Sequence, residues 1–189
     1  MENETTQALI RGISSDAIVG VVATLLGTVL GWLLGLLQNR GRLVAFIGSW
    51  KEAFTCGSGV FDGKAESIQE AKCYSFDLVI ELYNSSHLPR IARDICIVYT
   101  CKAGRIRKKE LLRCTPKDKA TAHQAGGGTR YDQVSAINIG PNEIVTLTLH
   151  QGFTRNGDSL EFREKADMVF FEYRDARNHT HRKLISKLD

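Results

Sequence analysis

Eight basic side chains fall between Lys102 and Lys119, opposed there only by Glu110 and Asp118. Cations at that density suit an anionic partner. Beside a bilayer the nearest anion is the acidic inner leaflet, worth about 1 kcal/mol per basic residue at the surface. Nucleic acid or a nucleotide is the second candidate. The first contacts for anionic lipid or phosphate are Lys102, Arg105, Arg107, Lys108, Lys109 and Arg130. Arg130 closes "AGGGTR" (Ala125–Arg130), whose backbone N–H groups could form an anion nest. The chain has no G-x-x-x-x-G-K-[ST], so no P-loop is expected. Lysines on an exposed hairpin also discourage edge-to-edge strand pairing, and that alone accounts for such a cluster.

Other constellations are thinner. "HTH" (His179–His181) places two imidazoles on one strand face, a half-site for metal. Spacing supplies no third ligand, and neither a metal nor another cofactor is expected. Asn84 and Asn178 match N-x-[ST], and both sit among turn formers. No G-x-S-x-G, H-E-x-x-H or identifiable Cys–His arrangement occurs, and no catalytic residue is expected. The five cysteines are irregularly spaced, without C-x-x-C, as in a reduced domain where Cys acts as a small hydrophobe.

These residues follow a different kind of segment. From Ala17 to Leu37 no residue is charged. As a helix this run would be about 31 Å long, close to the hydrocarbon thickness of a bilayer. The leader is mildly acidic, and the run exceeds the length of a signal-peptide core. The expected organisation is a short tail over 1–16, a transmembrane helix over 17–38 and a soluble domain over 39–189. Arg40, Arg42 and Lys51 after the span outnumber Arg11 before it, which places the N-terminus outside and the domain in the cytoplasm. Ala23, Gly27, Gly31 and Gly35 recur every fourth residue, a small-residue stripe against which a second helix can pack.

After Arg42 the hydrophobic period changes to two. In "CYSFDLVIELYN", Tyr74, Phe76, Leu78, Ile80 and Leu82 share one face. Similar runs occur at 42–54, 92–101, 105–114, 133–139, 143–153, 167–175 and 180–186. Turn formers separate several of them, at Gly140–Asn142, Asn156-Gly157 and Asp175–Asn178. Residues 63–71 read as a short helix and 115–132 as a long mobile loop. The fold expected is mainly β: one N-terminal helix, then an antiparallel, immunoglobulin-like β-sandwich of seven to eight strands.

With 43% hydrophobic and 24% charged residues, the 189-residue chain has enough apolar content for a real core. The reading is a single-pass membrane protein whose cytoplasmic sandwich binds another protein. It self-associates through its span and is unlike a nucleic-acid binder. The alternative is a nucleotide-sensing membrane effector, as in bacterial antiviral defence. Its plan resembles small bacterial single-pass proteins that carry a β-sandwich on the membrane.

Overall fold

The computed structural model describes residues 15–38, 41–57, 63–103, 107–126, 128–155 and 160–188, with side chains throughout except at 15–18, 36–38, 107 and 108. The chain divides into two compact units, residues 1–41 and 42–189.

In the first unit, α1 spans Ser15–Gln38. Its large side chains lie open around the whole helix, from Val19 and Val22 through Leu26, Leu30 and Trp32 to Leu34. Its two described hydroxyls bond internally: Thr24 Oγ1 donates to Gly20 O and Thr28 Oγ1 to Thr24 O, both at 2.8 Å. Among the described residues no helix is long and apolar enough to cross a membrane. The described side chains of α1 cover 19–35, about 25 Å of helical rise.

The second unit is an antiparallel β-sandwich. Its strands are β1 (Leu43–Thr55), β2 (Cys73–Asn84), β3 (Arg90–Ala103), β4 (Arg107–Cys114), β5 (Lys117–Ala125), β6 (Gly128–Gln133), β7 (Ile137–Ile139), β8 (Ile144–Thr154), β9 (Met168–Arg174) and β10 (Thr180–Lys187). One sheet runs β1-β2-β8-β5-β6. The other runs β10-β9-β3-β4, with β7 pairing the start of β3. A one-turn helix, α2 (Glu161–Lys165), lies between β8 and β9.

Alternation along β2 builds half the core. Tyr74, Phe76, Leu78, Ile80 and Leu82 are fully buried on one face. They meet Ile95, Ile97, Tyr99, Val169 and Phe171 from the opposite sheet. Asn84 continues the same face as a polar staple between two turns. Its Nδ2 donates to Leu88 O, Ile139 O and Gly140 O at 2.8, 3.1 and 2.8 Å. Its Oδ1 accepts from the N–H and hydroxyl of Ser86. Beside it, Ser85 clamps the first residue of the unit through three bonds. Ser85 N–H and Oγ donate to Arg42 O, and Arg42 N–H donates to Ser85 Oγ.

Ten described strands replace the seven or eight expected from periodicity. Residues 115–132 form most of the hairpin β5–β6 instead of a loop. Their side chains carry no apolar alternation, and they are held in the sheet by backbone pairing, by Lys119 on Asp77 and by the Tyr131 ring against His150. Residues 63–71 form turns and one isolated bridge, Lys64 to Thr55, with no helical element. Asn156-Gly157 lies outside the described residues. The strands flanking it belong to different sheets and do not form a hairpin. Asp175–Asn178 does close the β9–β10 hairpin, with Asn178 at φ 65°.

Candidate functional site

The edge strand β4 is where the sandwich offers both backbone and a concave surface. Leu112 pairs Tyr99 and Glu110 pairs Thr100, so Leu111 is the extra residue of a β-bulge. The bulge turns two consecutive leucines toward the gap between the sheets. Leu111 and Leu112 there meet Phe153 from β8 and Phe162 from α2, lining an open groove of about 440 Å³. Lys109, Lys165 and Glu161 form its rim. Lys165 Nζ lies 2.7 Å from Glu161 Oε2, which lowers the carboxyl pKa and raises that of the amine. Among the described residues β4 pairs only with β3, and its other edge is open.

A buried polar network supports Phe162 from beneath. Tyr74 Oη donates to Glu52 Oε1 at 2.5 Å, which leaves Tyr99 Oη to donate to Tyr74 Oη at 2.9 Å. Arg163 holds both Glu52 oxygens, through Nε at 2.8 Å and Nη2 at 3.0 Å. Burial, reinforced by the Glu52 charge, raises the Tyr74 phenol. Burial and Tyr74 do the same to Tyr99. Both phenols stay protonated, as donors fixing the end of the core, and neither is poised as a base. Phe162 stacks edge-on against Tyr99 and Phe153 at 4.9 and 5.0 Å, so α2 is pinned as one wall of the groove.

On the outer face of the second sheet, Glu172 is buried beside Cys96, Val98, Met168 and Phe170. Arg113 Nη1 donates to its Oε1, and Arg182 Nε donates to its Oε2 at 2.8 Å. Burial pushes this carboxyl up, but the two guanidinium groups outweigh it and hold its pKa below the usual value. Burial raises the Cys96 thiol, which keeps it an inert core group.

The domain matches the family model of the YopI Ig-like domain over residues 41–186. The chain belongs to the YopI Ig-like family. It is 25% identical over 159 residues to an uncharacterized SPbeta prophage-derived protein, YopI, of Bacillus subtilis strain 168, covering 82% of this chain and 86% of that one. Among solved structures it is similar to the structural-genomics target SoR45, with 12% identity, a TM-score of 0.36, and 80% of this chain and 86% of that chain covered. It is also similar to an uncharacterized β-sandwich protein of Clostridium difficile 630, with 12% identity, a TM-score of 0.33, and coverage of 78% and 91%.

Of the expected phosphate-contact residues, those with described side chains, Lys102, Lys109 and Arg130, stand on two different sheets. Lys102 and Lys109 are exposed on the β3–β4 hairpin, and only Lys109 reaches the groove. Arg107 and Lys108 have described backbone in β4, and Arg105 lies outside the described residues. Arg130 stands on β6 in the other sheet, paired with His123. Of "AGGGTR", Ala125 ends β5, Gly126 follows at φ +59°, and Gly128–Arg130 begin β6. Two of the clustered cations are committed elsewhere: Arg113 to Glu110 and Glu172, and Lys119 to Asp77.

His179 and His181 both face Asp175 Oδ2, at 3.6 and 3.0 Å, and cap a turn. Burial raises that carboxyl, but bonds from His181 and from the N–H groups of His179 and Arg177 outweigh it, and its pKa settles at about 2. Asn84 is buried with its amide fully engaged, so the folded domain hides that N-x-[ST] site. The small-residue stripe lies along α1, where Gly27, Gly31 and Gly35 have nothing within 4 Å of a built Cβ. Sequence reasoning missed Phe162, Lys165 and Phe153. "EFREK" is too short for a helical period, and the groove depends on a bulge that alternation does not show.

Proposed function

We propose that this chain is a membrane-tethered interaction module, with its YopI Ig-like sandwich on the cytoplasmic side. The sandwich takes up an extended segment of a partner protein along β4. The observation that carries this reading is the open edge of β4 beside an apolar-floored groove with a basic rim. An added strand would bond to the free backbone edge and drop a large apolar side chain between Leu111 and Phe162. Lys109 at the rim favours an acidic residue flanking that anchor.

Support for the tether comes from the uncharged run Ala17–Leu37, whose backbone is helical throughout. A helix apolar on every side, with its hydroxyls bonded internally, is suited to a hydrocarbon surrounding. The glycine stripe supports self-association of that helix.

Two tests separate the parts. With a photo-crosslinking residue at Lys109 in cells, a defined partner is captured. Capture is lost with Leu111→Glu and absent when the probe replaces Ile144, exposed on the other sheet. Equal capture from both positions refutes the groove. The tether requires the full chain to stay with membranes in alkaline carbonate, and release into the supernatant refutes it. The exposed Cys56 serves as the topology reporter. An impermeant thiol reagent applied to intact cells should leave it unlabelled.

A further inference from the structure

The seam where the first and last strands face each other carries a second concave site. Leu43, Val44 and Ala45 of β1 and Tyr173 of β9 line a slot of about 210 Å³. Arg42, His181, Arg182 and Lys183 surround it, and none of its lining residues is acidic. Register explains the crowding of cations. His181 pairs Tyr173 and Lys183 pairs Phe171, so both stand on the core-facing side of β10, where a sandwich normally places apolar residues. Tyr173 cannot answer them, because its hydroxyl donates to Leu43 O at 3.0 Å and His181 stacks on its ring.

The nearest carboxylates are occupied. Glu172 is held by Arg113 and Arg182, and Asp175 by His179 and His181. Among the described residues, Arg42 and Lys183 have no ion pair, so the slot keeps at least two uncompensated cations. Inward charges on an edge strand do guard against edge pairing. A single lysine would serve that purpose, and it would not need a guanidinium brought to the same slot from the other sheet. Arg42 is itself held in place by the Ser85 clamp.

We infer that this slot binds a phosphate group, with the Arg42 guanidinium and the Lys183 ammonium as the principal contacts. Arg42, leading into β1, and Lys183 on β10 line the slot from different sheets, and a guanidinium together with an ammonium suits a tetrahedral oxyanion. The volume of about 210 Å³ admits one such group with its ester carbon. The ligand is therefore a phosphate ester or free phosphate. An anionic phospholipid headgroup is one source, and this part rests on the tether reading. In the sequence Arg42 follows the end of the uncharged run, Leu37, by five positions.

The test uses the full chain, with sandwich unfolding followed through Trp50. In neutral detergent, inorganic phosphate is titrated at constant ionic strength. In parallel, the chain is placed in nanodiscs of phosphatidylcholine alone, or with a third of the lipid replaced by phosphatidylglycerol. Ligand at tenfold its Kd should raise the midpoint by about 3 °C. A rise with phosphate assigns a free ligand, and a rise only with phosphatidylglycerol assigns the headgroup. In either case the rise should vanish in Arg42→Gln/Lys183→Gln and persist in Lys102→Gln/Lys109→Gln. No rise in either arm overturns the inference, as does a rise that survives the first double variant. The detergent arm needs no membrane, and release of the chain by alkaline carbonate would refute the tether without touching it.

Discussion

Replacing Asn84 with Asp changes one NH₂ group to an oxygen and leaves the shape of the side chain unchanged. In the native fold that nitrogen donates toward three backbone carbonyls, all within 3.1 Å. The substituted carboxylate would face three acceptors with no proton to offer, in a position without solvent access. A buried polar group left unsatisfied costs about 1–3 kcal/mol, and more when charged. The expected loss for Asn84→Asp is therefore about 4 kcal/mol at pH 7. Asn84→Ala removes the donor without adding charge and should cost about 2–3 kcal/mol. Urea unfolding monitored by fluorescence reads both. With a slope of about 2 kcal/mol per molar urea, Asn84→Asp lowers the midpoint by about 2 M.

Acid distinguishes the mechanism. The introduced carboxyl has its folded pKa raised by burial and by the carbonyl oxygens. Its penalty is therefore present above that raised value and disappears below the unfolded value of about 3.9. The gap between Asn84→Asp and Asn84→Ala should close between pH 7 and pH 4. A gap that stays constant, or an Asn84→Asp midpoint within about 0.3 M of wild type, would refute the staple.

Three further outcomes are expected. Glu172→Gln leaves Arg113 and Arg182 without a counter-charge on the outer face, and should destabilise the sandwich by about 1–3 kcal/mol in the same assay. Asp175, held at about 2 against an ordinary 3.8, stabilises the fold fully above pH 4, and that contribution is lost as the pH falls through 2. Asp175→Asn should accordingly be less stable than wild type at pH 7 and equal to it near pH 1.5, read by chemical unfolding across that range. Gly31→Leu should weaken self-association in a membrane two-hybrid assay by roughly tenfold, about 1.4 kcal/mol. Unchanged association removes the stripe as an interface.

The sandwich was legible where burial imposed a period. Tyr74 to Leu82 read as a one-sided strand because every second residue had to enter the core. β5 and β6 were not legible because their side chains are mostly exposed or half-buried and polar, so no apolar period marks them. The groove was half visible. Lys109 stood out by charge, but its apolar floor comes from three distant segments brought together by a bulge and a five-residue helix. His179 and His181 read only as a metal half-site lacking a third ligand, because spacing cannot show that Asp175, four and six residues earlier, returns to face them. Arg42 drew notice only as a flanking charge, since its partners Lys183 and His181 lie some 140 residues downstream.

The Ser85 clamp on Arg42 has a mechanical consequence. A load carried by the N-terminal segment enters the sandwich at the start of β1, an edge strand that would otherwise peel one residue at a time. It must first break the three bonds that join Arg42 and Ser85. The next register pair, Leu43 with Asn84, is locked at the staple. The pulled end of the strand is thus its reinforced end, and a module gripped at β4 and drawn at Arg42 would transmit tension across the sheets before it frayed.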